Sequence, residues 1–164
     1  MRRRDANGNV SELPELDLAA LDVDEQLYLR VMLGLAETGN MFHGRFAEVH
    51  VGRVLGADVP DTGTNAWDLY IPGPEPITVE VKACPRGGKY GLTSEGADIW
   101  VFVTFTDKAT RPRDFSYVVV RSSAVKELHQ KEITQKRAFE KFGPPVAEPD
   151  LLTAVRLAAR DANY

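Results

Sequence analysis

The stretch Ile99-Trp100-Val101-Phe102-Val103-Thr104-Phe105 restricts the fold more than any other part of the chain. It is almost continuously apolar and β-branched. Successive residues of a strand face opposite sides, so such a run must be a central strand covered on both faces. Phe115 to Val120 repeats the pattern, and the polar stretch Thr106 to Asp114 between them reads as a loop. Both faces of two such strands must be covered by other elements.

The rest of the sequence offers helices for that cover. Asp22 or Asp24 can cap a helix running to about Glu37, with Leu27, Val31 and Leu35 at helical spacing and Thr38-Gly39-Asn40 as its stop. A second helix is expected from about Met41 to Leu55, ended by Gly56, with Phe42, Phe46, Val49 and Val54 as its apolar contacts. Gly44, Glu48 and Gly52 recur every fourth residue and so share one face. Glycine costs about 1 kcal/mol relative to alanine inside a helix, so two glycines flanking a glutamate suggest close approach to another backbone. Ala57-Asp58-Val59 reads as a short strand, and Asp61 to Asn65 as a polar loop. A third helical stretch from Ser122 or Ser123 to Phe142, with room for a break, is stopped by Gly143-Pro144-Pro145, and Asp150 to Ala159 forms a last helix. Residues 1 to 20, with Asn7-Gly8-Asn9 and Pro14, read as an extended or mobile arm.

At 164 residues, with 43% hydrophobic and 27% charged residues, the chain suits one soluble domain that needs no disulfide. The single cysteine, Cys84, excludes an internal disulfide and a cysteine-rich zinc site. No apolar run reaches membrane-span length and the start lacks a signal-peptide core, so no membrane partner and a cytoplasmic location are expected. The net charge of -4 is unevenly spread: Asp5 to Glu25 holds seven acidic residues and no basic one, whereas Lys82 to Lys141 holds twelve basic against seven acidic. The second region can present a positive surface to phosphates, although its helical part after Ser123 reads as a solvated mixed-charge face.

Chemistry concentrates earlier. Trp67-Asp68-Leu69-Tyr70-Ile71 is followed by a turn rich in proline and glycine and then by Ile77-Thr78-Val79-Glu80-Val81-Lys82. Alternation in the second segment sends Glu80 and Lys82 to one face, with Thr78 and Cys84 as packing neighbours. Adjacent strands lie about 5 Å apart, so Asp68 can sit beside Glu80 with the Lys82 ammonium close behind. Two carboxylates converging with a lysine form a hard-cation site beside a positive charge. The competing reading is a set of cross-strand charges on a solvated sheet face, contributing up to about 1 kcal/mol. Glu48 adds a third carboxylate. The basic loop Arg86-Gly87-Gly88-Lys89-Tyr90-Gly91 lacks a phosphate-loop signature, and His43, His50 and His129 are not spaced for a metal or a triad; they read as surface residues, with a place near the site the alternative for His50, two residues after Glu48.

The order of helix with Glu48, strand with Asp68 and strand with Glu80-Val81-Lys82, followed by two more strands, resembles the PD-(D/E)XK nuclease superfamily over residues 40 to 122. That resemblance implies an α/β, restriction-endonuclease-like fold, with a mixed central β-sheet flanked by helices, here with N-terminal and C-terminal helical additions. It also implies metal-dependent hydrolysis of phosphodiester bonds in DNA. Carried over, Asp68, Glu80 and the Val81 backbone carbonyl would ligate Mg²⁺ or Mn²⁺, and Lys82 would orient the attacking water and balance charge. Glu48 would complete the cluster, directly or through water. Arg86, Lys89, Lys108, Arg111 and Arg113 are the candidate nucleic-acid contacts, and double-strand cutting by one small site suggests a homodimer. The family carries a helix between the Glu-x-Lys strand and the next; here residues 84–98 contain Pro85 and four glycines, leaving room only for a turn around Thr93 to Gly96. Two other readings stay open: a catalytically silent nuclease-like module that binds nucleic acid or protein within a larger complex, and a nuclease acting on RNA or serving as a defence or toxin effector.

Overall fold

The computed structural model describes residues 2–4, 10–12, 17–34, 40–60, 66–93, 96–108 and 111–161. Two short antiparallel strands, β1 (Arg2–Arg4) and β2 (Val10–Glu12), begin the chain. The segment expected as an arm is therefore partly paired, while the turn signal Asn7-Gly8-Asn9 and Pro14 lie outside the described residues. Helix α1 (Val23–Met32) starts at a capping box: the Asp22 carboxylate accepts from the Glu25 N–H, and Glu25 accepts from the Asp22 N–H. Its last turn gives way to Gly34 at a φ of 70°, earlier than the expected end near Glu37. Leu35 to Gly39 lie outside the described residues. Helix α2 (Asn40–Leu55) ends before Gly56, whose φ is 61°.

The central sheet has four strands in the order β3 (Leu69–Ile71), β4 (Ile77–Pro85), β6 (Ile99–Lys108), β7 (Arg111–Arg121). β3 and β4 are antiparallel, β4 and β6 parallel, and β6 and β7 antiparallel. The expected strand around Asp58 is a single bridge to Tyr70. From Ile99 to Phe105 every residue is buried, as the uninterrupted apolar run requires. Ile77, Val79, Val81, Ile99, Val101 and Val103 line one face, covered by α2 and by helix α5 (Leu151–Arg160). Trp100, Phe102, Val118 and Val120 line the other, under a layer formed by α3 (Ser122–Lys126), α4 (Gln135–Phe142) and a two-stranded ribbon. The protein is thus α/β, with a mixed central sheet flanked by helices. Among the described residues no helix is long and apolar enough to cross a membrane.

Three expectations are corrected. The basic segment Arg86 to Gly91 is not a free loop: β5 (Lys89–Gly91) pairs with β8 (Glu132–Thr134), driven by Tyr90 and Ile133, both buried. That ribbon occupies the β4-to-β6 crossover, where a helix would ordinarily run; Ser94 and Glu95 lie outside the described residues. For the same reason the break that the 122-to-142 stretch left room for is not a bare interruption but a strand, β8, standing between α3 and α4. Finally, the stretch read as a loop is ladder on both sides of residues 109 and 110, which lie outside the described residues: Thr106, Asp107 and Lys108 pair with Arg113, Pro112 and Arg111, because a ladder needs backbone groups and not apolar side chains.

Helix α2 divides its two glycines. A Cβ on Gly52 would run into the Val59 side chain and reach Leu69 Cδ2 at 3.4 Å, whereas a Cβ on Gly44 would meet nothing within 4 Å. Close approach therefore explains Gly52 and not Gly44. Phe46 and Val49 are buried as expected, but Phe42 is exposed and Val54 only half-buried.

Candidate active site

Asp68 stands one residue before β3, where its N–H donates to the Val79 carbonyl at 3.0 Å. Its Oδ2 accepts from the Val81 N–H at 2.8 Å. The carboxylate thus takes the place of a strand residue on the free edge of β4 and is locked against the Glu80-Val81-Lys82 segment. By the alternation of an antiparallel ladder, the Val81 carbonyl points to that same edge.

Glu80 and Lys82 project from the second face of β4, as their parity requires. Glu80 is only 3% exposed, and Lys82 Nζ lies 2.5 Å from its Oε1. A solvated sheet face is therefore not what these residues form. Burying a carboxylate is costly unless a cation and hydrogen bonds compensate it, and Lys82 supplies the cation. The ammonium also lies 5.8 Å from the centre of the buried Trp100 ring, which contributes a cation–π attraction.

Glu48 reaches the same neighbourhood from α2. Its Oε2 accepts from Arg45 at 2.8 Å, one helical turn earlier, and Arg45 in turn grips Asp24 of α1 and contacts the Pro60 carbonyl at 3.3 Å. Burial raises the Glu48 pKa against the lowering effects of Arg45 and Lys82, and Glu80 raises it further. Asp68 is pushed up to about 6, chiefly by burial, with Glu80 and Glu48 adding to the shift and the Val81 N–H and Lys82 opposing it. Asp68 feels Glu80, Glu48 and Lys82, and Glu48 feels Glu80 and Lys82, so the three carboxylates and Lys82 share one electrostatic neighbourhood.

They do not close around a point. Among the described residues no three His, Cys, Asp or Glu side chains are arranged to hold a metal ion. The reason is visible in the partners: Lys82 occupies Glu80, Arg45 draws Glu48 toward α1, and Asp68 turns one oxygen to the backbone. One oxygen of each carboxylate remains outside these bonds. As hard donors they have the chemistry that Mg²⁺ or Mn²⁺ prefers, a few carboxylates plus waters, and a cation there would have to share Glu80 with Lys82.

The candidate nucleic-acid residues lie farther along the sheet. Arg86 follows β4 and is exposed, with its N–H bonded to the Phe105 carbonyl at 2.9 Å. Lys89 is exposed beside Glu132 at 3.4 Å, and Arg113 is exposed on β7. Lys108 and Arg111 pair through their backbones, and their side chains lie outside the described residues.

The histidines correct another expectation. His43 and His50 are buried, and only His129 is exposed. His50 Nε2 lies 2.8 Å from the Tyr117 hydroxyl, which donates to Glu148 at 3.0 Å, and Phe115 stacks on the imidazole at 4.2 Å. Burial lowers the His50 pKa, while Glu148 pushes the other way. Sequence reading missed this network because its members come from α2, β7 and the segment before α5. It also missed Arg45, although its position three residues before Glu48 was a usable signal. Compared with known protein families and with curated proteins, the chain matches none.

Proposed function

We propose that the protein is a cytoplasmic, metal-dependent endonuclease of restriction-endonuclease-like fold that hydrolyses phosphodiester bonds in DNA and works as a homodimer. The observation that carries this reading is the bond from the Val81 N–H to Asp68, which holds one carboxylate against a buried glutamate already paired with a lysine. Asp68, Glu80 and the Val81 carbonyl would hold Mg²⁺ or Mn²⁺, with Glu48 behind them. A divalent ion supplies Lewis-acid polarisation and lowers the pKa of bound water. Lys82 would orient the attacking water and offset the negative charge that develops on the phosphorus centre. Arg45 would keep Glu48 from swinging freely.

The test is nicking of plasmid or branched duplex DNA with and without Mg²⁺ or Mn²⁺. Cutting that needs the metal and disappears in Asp68→Ala and Lys82→Ala supports the reading; equal activity in those variants overturns it.

One observation favours a second reading. Lys82 and Arg45 satisfy Glu80 and Glu48 internally, which also suits a catalytically silent module that binds nucleic acid or protein. Calorimetry with Mn²⁺ separates the two, because only the nuclease has a reason to take up metal through Asp68 and Glu80.

A further inference from the structure

On the face of the sheet that carries Glu80 and Lys82, the ribbon and α4 form a surface of their own. The turn after β4 is bound to the first residue of α4: the Gly87 N–H donates to the Gln135 side chain at 2.6 Å, and the Gln135 N–H to the Gly88 carbonyl at 3.2 Å. A Cβ on Gly88 would meet the Pro85 carbonyl oxygen at 2.9 Å, so this turn depends on glycine to close. Between turn and helix lies an open cavity of about 290 Å³, with Lys136 on its wall.

The outer side is basic because the inner side takes the apolar residues. Tyr90, Ile133 and Ala138 face the core, leaving Lys89, Lys136, Arg137 and Lys141 outward. Lys89 and Lys136 have only exposed partners, Glu132 at 3.4 Å and Glu140 at 3.8 Å. Exposed pairs of this kind are worth little and yield readily to a phosphate. Arg86, Arg137 and Lys141 have no carboxylate partner among the described residues.

We propose that this surface, Arg86 and Lys89 together with Lys136, Arg137 and Lys141 of α4, docks the phosphate backbone of duplex DNA whose cut phosphate lies at Asp68, Glu80 and Lys82. The inference rests on the nuclease reading and assigns a partner to a helix whose charges read, in sequence, as mere solvation. The span is suitable: at about 3.3 Å per strand residue, Glu80 and Arg86 are roughly 20 Å apart along β4, close to six base-pair steps at about 3.4 Å each. With a net charge of -4 the whole molecule repels a polyanion, so attraction must come from a local patch.

The test measures binding of a short fluorescent duplex to the full chain by anisotropy, without divalent metal, over a range of salt. Each lost phosphate contact lowers the salt slope by about 0.9. Arg137→Ala/Lys141→Ala is expected to lower it by about 2 and to weaken binding at least tenfold at low salt. Arg156→Ala/Arg160→Ala removes equal charge from α5 on the opposite face and is expected to leave the slope unchanged. Equal slopes for the two double variants, or no salt-dependent binding by the parent protein, overturn the proposal. DNA cutting that persists with an unchanged slope rejects the docking surface alone; the predicted slope loss without any metal-dependent cutting rejects the nuclease reading and leaves the surface standing.

Discussion

Asp68 shows how burying a single carboxylate makes stability depend on pH. Its pKa of about 6 means that between about pH 4 and 6 the folded protein holds a proton that the unfolded chain has released. The stability that this group contributes is fully present below its unfolded pKa and is lost as pH rises through 6. At about 1.4 kcal/mol per pKa unit, discounted because solvent reaches part of the group, Asp68→Asn is expected to stabilise the metal-free protein by roughly 1–2 kcal/mol at pH 8 and to change little at pH 4. Urea melts at the two pH values check this; an unstabilised or destabilised variant at pH 8 contradicts it. The same variant separates function from folding, since lost cutting in a more stable protein cannot be blamed on unfolding. Parity put Glu80 and Lys82 on one face and spacing put Asp68 beside them, and both were legible in sequence. Burial of Glu80 and the grip of Arg45 on Asp24 were not, because each depends on an element distant in the chain.

At the scale of elements, α2 tests how much of its glycine pattern is packing. Gly44 faces open space and Gly52 faces Val59 and Leu69. Gly44→Ala is therefore expected to raise stability by about 0.5–1 kcal/mol, the difference in helix propensity. In Gly52→Ala the same gain is outweighed by an overpacking cost of about 1–3 kcal/mol, giving a net loss near 1 kcal/mol. Denaturant midpoints of opposite sign check the pair, and a stabilised Gly52→Ala protein would show that Val59 gives way freely. Element type was legible where the pattern was long: Ile99 to Phe105, the α2 helix and the strand Ile77 to Lys82. It failed for β5 and β8, whose pairing is decided by Tyr90 and Ile133 meeting across a wide sequence gap, whereas the equally short β3 was legible because its partner follows one turn later. No local period marks such a strand, and the polar residues of the β6–β7 hairpin hid its continued ladder in the same way.

At the scale of the whole molecule, the described residues form two hydrophobic clusters, one on each face of the central sheet. Val155 of α5 packs in the cluster beneath α2, and Val118 of β7 in the cluster beneath α4; both are buried. The second cluster contains Trp100, over which the Lys82 ammonium lies, and its cover carries the exposed basic residues of β5 and α4. If that cover is integral to the domain, loss of packing on either face must weaken a single cooperative unit. Val155→Ala and Val118→Ala are each expected to cost roughly 1–3 kcal/mol. Because the two side chains lie on opposite sides of the sheet and share no partner, their costs should add to within about 0.5 kcal/mol in the double variant. Circular dichroism and the fluorescence of Trp100, isolated by placing Trp67→Phe in every protein, should then give coincident urea transitions for all three variants. A Val118→Ala protein whose Trp100 signal changes at lower urea than its helical signal would instead show that the ribbon and α4 unfold as a separate unit, released from a sheet that α2 and α5 still hold.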